Sequence, residues 1–278
     1  MIDSTELPDL RMLPVADLRP HEDFDPRRIE RLSRRLQAER QLKNPPVVAA
    51  IPESECYVIL DGANRVMACE LLGIPHIVAQ LVDYHSPGLR LESWNHVVVG
   101  MPPQIFAEAL AEIKGTSLIP STLEEARLAI ENGQAAAFIV RQKEIQLVNC
   151  RSDIRSGGLS ILTDIVNAYK GRADIFRASN DIWEKQAPFY PGITALVIFP
   201  HYRPEQIIAA ARDRHKVPSG ITRHIIPFRA LNINIPLKVL AAKWDLDRKR
   251  AWLQEWLMDR MAANAIRFYE ESTFSFNE

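Results

Sequence analysis

The chain has 278 residues, 47% of them hydrophobic and 25% charged, a balance that supports a packed core and excludes a disordered polar tail. Its 34 Lys and Arg against 35 Asp and Glu leave a net charge of −1, so no global positive field draws in nucleic acid, and such a contact would have to be a local patch. Cys56, Cys69 and Cys150 lack the paired spacing of a structural zinc site and read as small buried hydrophobes in a reducing compartment. The acidic opening segment does not follow the basic-then-apolar pattern of a signal peptide, and no run approaches 18 apolar residues. Both observations predict a soluble, cytoplasmic protein.

In chain order, 11–15 is a short apolar run. Asp25 as N-cap and Pro26 at the first helical position then open a helix whose Ile29, Leu32 and Leu36 share a face. Six arginines on and around it (Arg27, Arg28, Arg31, Arg34, Arg35 and Arg40) less four acids (Asp23, Asp25, Glu30 and Glu39) leave +2 across 23–40. That pattern predicts a solvated, internally paired face rather than a DNA-reading one. Segments 47–51 and 57–60 read as strands around a polar turn, rich in Val and Ile. Helical spacing follows from 66 to 72 and stops at Gly73, with Pro75 just beyond. A strand is expected at 77–82 and a loop at 83–88.

Further along, helices are expected at 104–113 and at 122–131, the second opened by a Thr122–Glu125 capping box. A hairpin is expected over 136–140 and 144–148, a helix over 159–169, a buried strand over 193–199, a proline-started helix over 204–214 and a long helix over 244–269. The fold class is mixed α/β, with a composition break near residue 90 that divides the chain into 1–90 and 91–278 without a flexible linker, so two closely packed parts are expected.

The strongest chemical signal is the strand–turn–helix pentapeptide Asp61-Gly62-Ala63-Asn64-Arg65. Backbone N–H groups at the first turn of a helix favour an anion, glycine permits close approach, and Arg65 adds a permanent charge for a phosphate oxygen. Asp61 at the strand end is suited to a divalent cation beside that phosphate. The same pentapeptide also suits a plain turn in which Asp61 caps the helix and Arg65 is solvated. A second signal is His21-Glu22 before the first helix. Glu22 would take a proton from an alcohol if the fold brings it to the reacting group, and it would otherwise be a solvated acid near a helix start.

Together, L-x-P-H-E, a helix, K-N-P-P-V-V, a strand ending D-G-x-x-R, a helix ending L-G-I-P and then V-D-Y resemble the ParB/sulfiredoxin fold over residues 10–96. Within it they are most similar to the free L-serine kinases, a family with ATP- and ADP-dependent members. Sulfiredoxin chemistry is excluded because Ala63 stands where a catalytic cysteine would be, and the G-E-R-R of partitioning ParB proteins is replaced by Gly62-Ala63-Asn64-Arg65. The resemblance implies transfer of the terminal phosphoryl group of ATP or ADP, with Mg2+, to the hydroxyl of L-serine. Glu22 would be the general base and Asp61 a catalytic and metal-binding carboxylate. Lys43, Gly62, Ala63, Asn64, Arg65 and His96 would bind the nucleotide phosphates and the transferred group. Trp94, Ser219, Thr222, Arg223 and His224 would complete the substrate site. L-serine and nucleotide are then the expected partners, membrane association is not expected, DNA is disfavoured and a homodimer is left open. A nucleotide-switched, ParB-like DNA-binding regulator is the alternative.

Overall fold

The computed structural model describes residues 7–142, 144–150 and 154–269, and for 154–160 the backbone alone. The acidic segment 1–6 lies outside the described residues. The elements in chain order are β1 (Asp9–Pro14), β2 (Leu18–Pro20), α1 (Pro26–Glu39), β3 (Gln41–Leu42), β4 (Val47–Ala50), β5 (Tyr57–Asp61), α2 (Ala63–Leu71), β6 (His76–Leu81), β7 (Arg90–Ser93) and β8 (Asn95–Val99). They continue with α3 (Pro103–Ala111), β9 (Thr116–Pro120), α4 (Leu123–Glu131), β10 (Ala137–Arg141), β11 (Glu144–Cys150), α5 (Ile154–Asn167), β12 (Asp174–Ala178) and α6 (Trp183–Gln186). Last come β13 (Ile193–Ile198), α7 (Pro204–Arg212), β14 (Thr222–Ile225), β15 (Ile235–Pro236), α8 (Leu237–Leu240) and α9 (Leu246–Ala262). Among the described residues no helix is long and apolar enough to cross a membrane.

Two compact units emerge: Met1–Leu18, Pro26–Asp83 and Phe228–Glu278 form one, Arg19–Asp25 and Tyr84–Pro227 the other. The boundary expected near 90 falls at 83/84. The segments 19–25 and 228–278, however, each join the unit that a single cut would deny them.

In the first unit, β1 pairs antiparallel with β6, which runs parallel to β4, and β4 forms an antiparallel hairpin with β5. Val47, Val48, Ala49, Val58, Ile59, Ile77, Val78 and Ala79 are almost fully buried, as expected for β-branched strands inside a layered fold. Helix α2 connects β5 to β6. Its end is a Schellman turn: Gly73, at φ +66°, donates to the Glu70 carbonyl and Ile74 to that of Cys69. Helix α1 begins at Pro26 and buries Ile29, Ser33 and Leu36, while Leu32 is half-buried. Its outer face is charge-paired, Arg34 with Glu30 at 3.4 Å and Arg35 with Glu39 at 2.7 Å, as the i,i+4 spacing predicts. Cys69 is fully buried, whereas Cys56 and Cys150 are half-buried, and all three are free thiols. Burial pushes the Cys69 thiol up to about 12, which leaves it inert.

The second unit is built on a six-stranded sheet ordered β12-β8-β13-β10-β11-β9, in which neighbouring strands run antiparallel. Both faces are buried. Ile139, Ala195, Val197 and Phe199 pack with Phe106, Leu110, Ile165 and Tyr169 on one side. Phe138, Val140, Leu196 and Ile198 pack with Ala126, Ala129 and Ile130 on the other. This double burial explains why 195–199 is apolar throughout rather than alternating. The Thr122 capping box forms with both reciprocal bonds, and β10 with β11 makes the expected hairpin. The last helix, α9, stops at Ala262, short of the expected 269.

Candidate functional site

In the first unit, β5 delivers Asp61 to the turn and α2 starts immediately after it. Gly62 occupies the N-cap position in a left-handed conformation, φ +87°, with no side-chain cap. Asp61 is therefore not the cap, and the plain-turn reading of the pentapeptide does not hold. The Gly62 carbonyl accepts from the N–H of Arg65 at 2.9 Å and of Val66 at 3.2 Å. Arg65 thus spends its backbone donor inside the helix, and the N–H groups ahead of it stand at the positive end of the helix. The Oδ1 atom of Asn64 is buried with no hydrogen-bond partner among the described residues.

Arg65 is a latch rather than a solvated charge. Its Nη2 donates to Asp61 Oδ2 at 2.6 Å and its Nη1 to the Asn44 carbonyl at 3.0 Å. Arg229 donates to the same Oδ2 at 2.6 Å. Burial by itself would raise the Asp61 carboxyl, but the two guanidinium groups outweigh it and hold the carboxyl below the ordinary value. Arg229 is presented by a clamp: the buried Gln80 side chain donates to the Phe228 carbonyl and accepts from Ala230 N–H, both at 2.9 Å. Asn44 Oδ1 accepts from Asn232 N–H at 2.8 Å, and the Lys43 carbonyl accepts from Asn234 N–H. Phe228, Asn232 and Asn234 all have φ near +50°, a conformation rare for a bulky residue such as Phe228.

Asp61, expected to hold a divalent cation beside a phosphate, carries two arginines on one of its oxygens. Among the described residues no three His, Cys, Asp or Glu gather as a metal site. A Mg2+ ion fits this turn only as part of a nucleotide complex, taking most of its ligands from phosphates and water.

In the second unit, Glu22 is fixed by the 217–222 segment. It lies in an isolated bridge with Val217. Its Oε2 accepts from Gly220 N–H and its Oε1 from Thr222 N–H, each at 2.9 Å, and the Thr222 hydroxyl also donates to Oε1. Since that hydroxyl has a single proton, the 2.9 Å contact from His21 Nε2 to Thr222 Oγ1 has the imidazole as donor. Glu22 is thus an oriented acceptor and not a solvated acid.

The neighbouring residues are bound to one another. Arg223 ion-pairs with Glu92 at 3.2 Å and lies 4.2 Å over the Trp94 ring. His224 Nε2 meets the Tyr84 hydroxyl at 2.7 Å, and its ring stands edge-on to His21. The Trp94 N–H donates to the Ile221 carbonyl, which ties β8's approach to the same turn. Ser219, half-buried beside Gly220, completes the set of substrate residues named from the sequence.

His96 departs from expectation. At 3% exposure it is inside the core rather than presented to a phosphate. Its Nδ1 pairs with the Tyr169 hydroxyl at 2.8 Å, Phe199 packs edge-on against it, and it hydrogen-bonds the Gly220 backbone. Burial, reinforced by the charge of Arg177, drops its pKa to about 4, so the ring is neutral. It supports the Gly220 turn that holds Glu22. Arg229, Gln80, Tyr84 and Glu92 were not legible in the sequence, since each acts through a partner 131 or more residues away and no local pattern marks them.

No protein-family model matches the chain. It is similar to the ATP-dependent L-serine kinase SbnI of Staphylococcus aureus, 24% identical over 269 residues that cover 95% of this chain and 96% of that protein. It is also similar to the ADP-dependent L-serine kinase SerK of Thermococcus kodakarensis, 20% identical over 85% of this chain and 95% of that one. Among solved structures, a free serine kinase variant in complex with AMP matches with a TM-score of 0.73 at 19% identity, covering 84% of this chain and 95% of that one. The family that this mixed α/β chain resembles over nearly its whole length, and whose fold it shares, is that of the free L-serine kinases.

Proposed function

We propose that the protein is a free L-serine kinase that moves the terminal phosphoryl group of ATP or ADP to the serine hydroxyl, giving O-phospho-L-serine. The observation that carries this reading is the fixed Glu22 carboxylate, in a chain alike from end to end with L-serine kinases. Phosphoryl transfer asks a protein mainly for alignment and charge neutralisation. Within the first unit, the nucleotide phosphates are assigned to the start of α2 at Gly62, Ala63 and Asn64, the Arg65–Asp61–Arg229 triad, and Lys43. Asp61 would be the protein contact of a nucleotide-bound Mg2+, which would supply charge neutralisation. The acceptor residues are assigned within the second unit. Glu22 takes the hydroxyl proton, Thr222 and His21 keep its oxygens aimed, and Trp94, Ser219, Arg223 and His224 shape the surroundings. We place this activity in the cytoplasm, where nucleotide and free amino acids are available.

The test is incubation of purified protein with Mg2+, ATP or ADP, and a panel of free hydroxy amino acids, with mass detection of products. O-phospho-L-serine is expected with at least one donor. Absence of any phosphorylated amino acid with both donors overturns the reading.

A further inference from the structure

The side chains that the sequence suggests for holding the acceptor are largely spent on one another: Thr222 on Glu22, Arg223 on Glu92 and Trp94, His224 on Tyr84. Two other groups of the second unit are not spent in this way. The first is Arg177 on the edge strand β12. Its register partner is His96 on β8, and His96 pairs in turn with Val197 on β13. Directly paired residues project to one face, so Arg177 emerges on the face that carries His96, Phe199 and Tyr169. There its guanidinium crosses Gly220: a Cβ added at 220 would lie 2.5 Å from Arg177 Nη2. Gly220, at φ +83°, is the residue whose N–H holds Glu22 Oε2. Arg177 forms no ion pair among the described residues.

The second group is Tyr202, which packs against the cluster containing Phe199, Val217 and Ile221. Its hydroxyl is buried and has no hydrogen-bond partner among the described residues. Burial first, and the nearby Glu22 charge second, raise the phenol above its ordinary value, so it remains a neutral donor. A buried hydroxyl left unsatisfied is costly and uncommon in native proteins, which points to a ligand atom as its missing partner.

An amino acid reacting through its hydroxyl at Glu22 brings a carboxylate that Glu22 repels and that therefore needs its own cation and donor. We propose that Arg177 and Tyr202 bind the α-carboxylate of the acceptor, so that the site selects free amino acids over amino alcohols lacking that group. The proposal rests on the kinase reading for the identity of the acceptor and on the geometry around Gly220 for the residues.

The experiment compares full-length protein with Arg177→Gln and Tyr202→Phe, using L-serine and ethanolamine as acceptors and direct nucleotide titration. Arg177→Gln is expected to raise the KM for L-serine about tenfold or more, the loss of a charge-assisted contact, and Tyr202→Phe less. Ethanolamine kinetics and nucleotide affinity should stay unchanged, so the preference for serine over ethanolamine collapses. A preference intact in both variants overturns the proposal, as does a fall in nucleotide affinity in Arg177→Gln at unchanged serine KM, which would assign the guanidinium to phosphate. If the unaltered protein phosphorylates no amino acid, the kinase reading fails separately. Calorimetric titration with L-serine and L-serinamide then decides the site: serine binding that needs both the carboxylate and Arg177 supports it, and binding indifferent to either overturns it.

Discussion

Each oxygen of the Glu22 carboxylate accepts from a different backbone N–H, Gly220 on one and Thr222 on the other. A glutamine there turns its NH2 group toward one of these donors. Glu22→Gln is therefore expected to lower kcat by about 100-fold or more while leaving nucleotide affinity unchanged, and to cost about 1–3 kcal/mol of stability from the mispaired donor. Steady-state kinetics beside nucleotide titration and a denaturant melt separate the two effects; retained turnover would remove Glu22 from the chemistry. Gly62 makes a second residue-level case. At φ +87° a side chain costs about 1–2 kcal/mol, and a Cβ would lie 2.7 Å from Arg65 Nη2, pressing the guanidinium off Asp61. Gly62→Ala should weaken nucleotide binding more than it changes the KM for serine, and an unchanged nucleotide Kd would show that the phosphates sit elsewhere. The turn at 61–65 and Glu22 were legible in the sequence as candidates, through the glycine and arginine that follow a strand and the His-Glu pair that precedes a helix. What Glu22 rests on was not, since Gly220 and Thr222 are about 200 positions away.

Elements whose identity depends on local pattern appear where the sequence places them: α1 from Pro26, the β4–β5 hairpin, α2 with its glycine stop, and α4 with its capping box. Those that depend on a distant partner do not. Strands β3 and β15 are two residues each and exist only as a ladder with one another, and β7 and β14 likewise pair alone. The 228–230 strap is of this kind, held by Gln80 from β6 and carrying Arg229 to Asp61. Gln80→Leu leaves the Phe228 carbonyl and the Ala230 N–H without their partner. It should lower the unfolding free energy by about 2 kcal/mol or more and weaken nucleotide binding through loss of Arg229. Denaturant melts and nucleotide titration read both, and a stable variant with full nucleotide affinity would show that the strap does not depend on the clamp.

For the molecule as a whole, His96 predicts the pH response. Its folded pKa of about 4 lies below the ordinary 6.5, so between these values the unfolded chain binds a proton that the folded chain refuses. Stability is full above pH 6.5 and declines as the pH falls toward 4, by up to about 3 kcal/mol. Asp61, also depressed, loses its contribution only below the ordinary carboxylate value of about 3.9. The denaturant midpoint followed from pH 7 to 4 should fall in the native protein and flatten in His96→Gln; an unchanged slope in the variant would place the titrating group elsewhere. The sequence by itself determined the mixed α/β class, the helix and hairpin sites and the two chemical signatures, because capping, turn and periodicity rules act over a few residues. Only the tertiary structure decided that His96 is a neutral core support, that Asp61 is held between two arginines, and that the carboxylate of Glu22 is aimed by backbone donors from a turn near 220. Those are consequences of burial and long-range pairing, which residue spacing does not encode.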